Sequence, residues 1–331
     1  MSNLKLSFAM GRNARTQPIL DGKVAIEGID LMMTAVHPSE LFWRQLQFQE
    51  FDVSEMSLSS FSKMVARGDK TWIGIPVFTS RIFFHTGIMI RSDAGIEKPE
   101  DLRGKRVAIP EYQQTAALWI RGALRHEFGV LPEDMDWYME RNEDKSHGGA
   151  TGFKPPTGVK LQFIPPEKSI GSMLVSGEID ASLLYLTDNN LVDRSRVDLS
   201  EHRNIKTLFA DPVKEGTRYF QKTGIYPINH CVVVRRSLYE KYPWIVLNLF
   251  NGFRLAKERV QAQLKELTDT HFRLGYLPSD MRSNLAIDPF PYGIKENRRT
   301  LETITEYSYE QGLTPRKVEL SELFAPNTME L

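Results

Sequence analysis

The chain has 331 residues, 41% hydrophobic and 25% charged, with Lys plus Arg and Asp plus Glu balanced at 42 each. Zero net charge supplies no electrostatic field for nucleic acid or an anionic membrane, and no stretch approaches the apolar length that spans a bilayer. The length exceeds what a single hydrophobic core supports, so two packed lobes are expected.

The opening residues MSNLKLSFAMGRN carry one lysine, no long apolar stretch and no small-residue cleavage site. They do not fit a signal peptide, and a cytoplasmic location is expected. Leu4, Leu6 and Phe8 alternate with Lys5 and Ser7 as in a β-strand. The polar turn GRNARTQP follows, and VAIEGIDLMMTAV reads as a second strand broken at Glu27-Gly28. SELFWRQLQFQ has the spacing of an amphipathic helix, with Ser39 as its candidate N-cap. FDVSEMSL is a short strand leading into the helix LSSFSKMVARG, and TWIGIPVF and FFHTGIMIR read as further strands. A helical turn at Pro99-Glu100-Asp101 precedes strand RVAIP, and a helix is expected from Thr115. Free amides and the helix dipole at that start favour an anion. The polar segment ERNEDKSHGGATGFKPPTG reads as a surface excursion, a flap over a cleft. Strand VKLQFIP, helix SIGSMLVSG, strand EIDASLLY and the buried strand INHCVVVRR come next. A long amphipathic helix over SLYEKYPWIVLNLFNGFRLAKERVQAQL, a helix over residues 295–311 and a short one at ELSELFA complete the chain. Its apolar face at YPWIVLNLFNGF suits internal packing and a homo-oligomer contact equally. Strands alternating with helices from the start are the pattern of an α/β protein with mostly parallel sheets.

Chemical motifs are sparse. The one cysteine, Cys231, lies in the apolar run CVVV, has no disulfide partner and reads as an inert core thiol. No GxGxxG follows a strand and there is no P-loop, and no HxxxH, CxxC or carboxylate-rich spacing announces a metal. No cofactor is expected, and a divalent metal held by side chains that converge only in space is left open.

The order PEDLRGKRVAIP, a helix opening at Thr115, then LVSGEIDASLL resembles the type-two periplasmic-binding-protein fold. This resemblance implies a first lobe of residues 1–95 plus 228–331, an inserted lobe of residues 96–227, and a ligand cleft between them. Over nearly the whole chain the sequence is also similar to the 4,5-dihydroxyphthalate decarboxylase family of bacterial phthalate degradation. The segments that carry this are RTQPILDGKVAIEGIDL, EFDVSEMSLSSF, IPVFTSRIFFHTGIMI, TAALWIRGAL, TGIYPINHCVVV, YPWIVLNLF, DPFPYGIKENRRTLE and YSYEQGL. The chain departs from the family at Ile82-Phe83-Phe84-His85 and over LLYLTDNNLVDRSR. The resemblance implies a small aromatic dicarboxylate as substrate and protocatechuate and carbon dioxide as products, while the balanced charge leads to the expectation of no nucleic-acid or membrane partner.

Such a reaction must clamp the retained carboxylate, polarise or ionise a catechol oxygen, and protonate the vacated ring carbon. For clamping, Arg15 and Thr16 stand in the turn after the first strand, Arg81 just past IPVF, and Arg121 on the Thr115 helix. Guanidinium forks grip carboxylates in a bidentate manner. For proton transfer, His85 and His230 adjoin strands where polar residues are otherwise rare, and histidine titrates near neutrality. His37 and His147 are weaker candidates, and His126, His202 and His271 read as structural. Glu55, in VSEMSLSS, is placed to accept a phenolic proton or to orient a histidine. Ser57 reads either as a substrate contact or as a helix cap, and Thr115 has the same two readings. The competing function is a non-catalytic cytoplasmic binding protein for a small carboxylate, which shares the fold and would return its ligand unchanged.

Overall fold

The computed structural model describes residues 3–331. Eleven strands form two sheets: β1 (Leu4–Met10), β2 (Ile29–Ala35), β3 (Val53–Ser57), β4 (Trp72–Arg81), β5 (Met89–Arg91), β6 (Arg106–Ile109), β7 (Asp136–Met139), β8 (Lys160–Phe163), β9 (Ala181–Ser182), β10 (Ile205–Thr207) and β11 (Ile228–Arg235). The first sheet has the order β2-β1-β3-β11-β4 and the second β10-β5-β9-β6-β7-β8. In the first, β1 runs parallel to β2 and β3, while β11 is inserted antiparallel between β3 and β4. In the second, β9, β6, β7 and β8 are parallel and β5 and β10 antiparallel.

The alternation in β1 sends Leu6 and Phe8 into the core while Lys5 and Ser7 stay outside it. That face of the first sheet, with Val53, Ile75 and Val232, packs on Ile245, Leu249 and Phe253 of the long helix Ile245–Arg273. The expected single helix over this stretch is two: Arg236–Lys241 stops before Pro243, whose missing amide and ring break the ladder, and the second begins at Ile245. The opposite face of the first sheet belongs to a core that runs without interruption into the second sheet. It joins Met56 and Phe78 to Val107, Ile109, Trp119 and Trp137, and to Ile304 and Tyr307 of the helix Arg298–Glu310.

Two further sequence expectations change. FFHTGIMIR is a strand only over Met89–Arg91; Phe84–Gly87 is a 3-10 turn, because there the chain leaves one sheet for the other and has no neighbour to pair with. The chain thus crosses between sheets within residues 82–88 and returns within residues 208–227. The polar stretch after β7 is not a flap. Ser146, His147 and Thr151 are buried, since Glu111 accepts the amides of His147 (3.1 Å) and Gly148 (3.1 Å) and Thr151 donates to Gln113 (3.0 Å).

Close packing holds the helix Thr115–Phe128 against Arg298–Glu310. A Cβ added at Gly122 would lie 2.1 Å from the ring of Tyr307. Gly122→Ala is expected to cost about 1–3 kcal/mol of stability through overpacking, measured as a lowered urea midpoint with an unchanged m-value.

Candidate active site

Strands β1, β2 and β3 finish at one rim of the first sheet, and the crevice beyond such carboxyl ends is where open α/β sheets meet ligands. A cleft of about 630 Å3 opens there, lined by the turn after β1 and by Glu55, Thr79, Arg81, His230 and Phe290. A second compartment of about 300 Å3 adjoins it and shares His37, Pro38, Ile82 and His230 as common wall. Its remaining walls include Phe42, Phe84, Leu184, Leu186 and the start of the Thr115–Phe128 helix.

Glu55 and His230 meet across adjacent strands, Nδ1 to Oε1 at 2.9 Å, with 2% and 8% of their surfaces exposed. The β11–β4 register shifts on both sides of His230, and such bulges re-aim a side chain that a regular ladder would hold elsewhere. The carboxylate also accepts the Gly11 amide at 2.8 Å and the Thr79 hydroxyl. A side chain at residue 11 would press on Pro38 at 2.9 Å, so glycine permits that approach. Burial acts to raise the pKa of Glu55. The His230 charge and hydrogen bond, together with Thr79 and Gly11, outweigh it and hold the carboxyl below its ordinary value. With Nδ1 engaged, Nε2 is the ring nitrogen available to the cleft, and Phe42 meets the imidazole edge-on at 4.7 Å.

Two arginines line the same cleft and, among the described residues, make no ion pair. Arg15 lies 3.7 Å over the Phe290 ring and donates to the Thr79 carbonyl at 2.6 Å. Arg81, 5% exposed, donates to the carbonyls of Pro291 (2.9 Å) and Tyr226 (3.4 Å) and to the Asn297 amide oxygen. Every one of these acceptors is neutral, and the Nε of both arginines is buried without a partner. Burial brings Arg81 down to about 10, which leaves it cationic at neutral pH. Arg12 adds a third, exposed guanidinium at the rim. A buried guanidinium with only neutral acceptors is a site for an anion.

The smaller compartment is electrostatically different. Arg141 is buried there, but Asp193 grips it at 2.6 and 3.1 Å and Ser39 at 2.7 Å, so its charge is compensated. His147 is pushed down to about 3 by burial and by Arg141, and stays neutral. The hydroxyls of Ser57 and Thr115 bond to each other at 2.9 Å across the cleft.

The structure therefore brings Arg15, Glu55, Arg81 and His230 together in the larger compartment, and Ser57 and Thr115 in the smaller. It puts three other sequence candidates elsewhere. His85 points from its 3-10 turn toward the helix Pro212–Thr223, 3.2 Å from Glu215 and packed on Tyr219. Thr16 is buried at the start of the helical turn Gln17–Leu20, its hydroxyl bonded to the Asn13 carbonyl. Arg121 stacks on Tyr112 at 3.9 Å and bonds to Tyr112 and Gln311, on the side of its helix away from the cleft. Sequence reading passed over Arg12 and Asn13, whose signal was their place beside Arg15, and Arg141 and Phe290, for which no local signal exists. It underrated His37, which lines both compartments and lies 3.5 Å from Asp188. Cys231 is fully buried in β11, where burial pushes the thiol up. Among the described residues no group of three or more His, Cys, Asp or Glu side chains is arranged to hold a metal ion.

Solved structures with the same architecture cover nearly all of the chain. The periplasmic aliphatic sulphonate binding protein of Escherichia coli is 14% identical with a TM-score of 0.55, each chain covered in full. The alkanesulfonate-binding protein of Xanthomonas axonopodis pv. citri is 14% identical with a TM-score of 0.54, covering 98% of both chains. The molecule is thus a two-lobed α/β protein of the periplasmic-binding-protein type. No protein-family model matches the sequence. Among curated proteins, the 4,5-dihydroxyphthalate decarboxylase of Comamonas testosteroni is 34% identical over 100% of this chain and 99% of its own length. That of Pseudomonas putida is 40% identical over 55% of this chain and 70% of its own. The chain belongs to the 4,5-dihydroxyphthalate decarboxylase family.

The depressed pKa of Glu55 means that its ionised carboxylate stabilises the fold above the ordinary value of 4.5 and that this stability is lost as pH falls below it. Glu55→Gln is expected to lower stability at pH 7 by about 1–3 kcal/mol, with the deficit shrinking below pH 4.5. Urea unfolding of both proteins at pH 7 and pH 4 reads the difference.

Proposed function

We propose that the protein is a cytoplasmic carboxy-lyase that converts 4,5-dihydroxyphthalate to protocatechuate and carbon dioxide. The observation that carries this reading is the cleft itself: in a chain of this decarboxylase family, two arginines with only neutral partners flank a buried Glu55–His230 pair. Membership in an enzyme family supports the cytoplasm over the periplasm of the fold relatives, and no helix of the described residues is long and apolar enough to cross a membrane. Lobe one, carrying the arginines and the pair, and lobe two, carrying the Thr115–Phe128 helix, close over the substrate. Exposed Leu264, Leu267, Leu274, Tyr276, Leu285 and Ile287 support a homo-oligomer.

In this reading Arg15 and Arg81 clamp the retained carboxylate, and Arg12 adds to the field that draws a dianion in. Glu55 orients the imidazole through Nδ1. Protonated Nε2 of His230 gives its proton to the ring carbon that bears the departing carboxylate. The electron pair for that new C–H bond comes from the ionised catechol oxygen across the ring, which becomes a carbonyl. The ring-to-carboxylate bond then breaks, its pair returns through the ring to the oxygen, and carbon dioxide leaves. His230 recovers a proton from water, so each turnover consumes one proton.

Incubation with 4,5-dihydroxyphthalate is expected to release carbon dioxide and protocatechuate in equal amounts; recovery of unchanged ligand identifies a binding protein instead. His230→Ala is expected to lower kcat about 10²–10⁴-fold with little change in substrate binding. Arg15→Ala raises KM as well, and His85→Ala leaves kcat within about twofold because its ring faces Glu215 and not the cleft. Steady-state kinetics on the three variants separates these roles.

A further inference from the structure

The smaller compartment contains an uncommitted donor. Gln114 is 7% exposed and lines this space, and its side-chain amide nitrogen is buried without a partner. It immediately precedes the 14-residue helix Thr115–Phe128, whose first turn has no side-chain cap. Thr115, the residue that the sequence points to at this helix start, has its hydroxyl turned to Ser57 and Ser59 instead. The uncommitted donors at this wall are therefore the Gln114 amide and the first-turn N–H groups, backed by the helix dipole. Among the described residues no free cation stands beside them, since Arg141 is held by Asp193 and His147 is kept neutral. Phe42, Phe84, Leu184 and Leu186 supply the apolar walls that an aromatic ring needs.

Neutral donors in an apolar setting suit a phenolic oxygen better than a second carboxylate, for which the other compartment already provides guanidinium groups. In 4,5-dihydroxyphthalate the hydroxyls lie on the ring edge opposite the carboxylates. A molecule with one polar edge in each compartment brings its ring past His230, which belongs to both walls. We propose that Gln114 and the first turn of the Thr115–Phe128 helix bind the catechol oxygens and hold one of them as the anion. This assignment rests on the decarboxylase reading and deepens it. The bound anion is the source of the electron pair that accepts the proton from His230 at carbon, and it receives the pair back when carbon dioxide departs. Uncharged donors favour ionisation without trapping the charge as a paired cation would.

The test uses the product, protocatechuate, whose catechol absorbance shifts to longer wavelength on ionisation, and phthalate, which lacks the hydroxyls. Wild-type protein at pH 7 is expected to bind protocatechuate with the shifted band and to turn over 4,5-dihydroxyphthalate. Gln114→Glu, which puts a carboxylate against the oxygen, is expected to abolish the shifted band and lower kcat at least about 10-fold, with Gln114→Ala between the two. Phthalate should inhibit all three proteins with the same inhibition constant, which reports an intact fold and arginine pocket. An unchanged band and kcat in Gln114→Glu overturns the assignment, and so does a parallel loss of phthalate inhibition in both variants, which would make Gln114 a packing residue. Wild-type protein that releases no carbon dioxide removes the decarboxylase reading itself. That outcome is distinct, because in both others the wild type turns over.

Discussion

The buried pair of Glu55 and His230 is the interaction on which the rest of this cleft depends. A carboxylate with 2% exposure in the middle of a sheet is tolerated only if its charge is matched and its lone pairs are filled. His230 engages one oxygen through Nδ1, and Gly11 and Thr79 fill further acceptor sites. Each partner comes from a different strand or strand end, so the pair ties β1, β3, β4 and β11 to one point. The antiparallel insertion of β11 makes this possible, since it carries residue 230 between two strands that were laid down more than a hundred residues earlier.

Around that point the charges are sorted. The larger compartment holds arginines without counter-ions, while the smaller holds an arginine already neutralised, a neutral histidine and unpartnered amide donors. A substrate with two carboxylates on one edge and two hydroxyls on the other presents the complementary order. The wall between the compartments is the imidazole, which is where a proton must be delivered if one edge is held and the opposite edge supplies electrons. The arginines and the Glu55–His230 pair thus all stand at one rim of the first sheet, and the second lobe contributes walls and the helix start.

The continuous core bears on how the lobes move. Met56 and Phe78 of the first sheet share one apolar cluster with Val107 and Trp137 of the second, and the helix Arg298–Glu310 packs into the same cluster. Ser57 with Thr115, Ser39 with Arg141, and Trp43 with the Asp144 carbonyl add polar contacts across the cleft. A large apolar interface restrains relative domain motion, so opening this cleft exposes part of the core as well as breaking those bonds.

Read alone, the sequence determined the α/β class, most strands and helices, and the family, because period-two and helical spacing and turn chemistry are local properties. It also singled out Glu55, His230, Arg15 and Arg81, since a charged or polar residue beside an apolar strand is conspicuous without coordinates. Tertiary structure alone decided which of several similar candidates share a cavity. His85 and His230 look alike in sequence, yet one sits in a turn between sheets facing Glu215 and the other beside a bulge facing the cleft. Arg121 and Arg141 differ likewise only in what lies across from them. Phe290, Gln114 and the burial of the stretch around His147 depend on segments far apart in the chain meeting in space. No local pattern encodes such meetings, because register, bulges and the crossing between sheets set them.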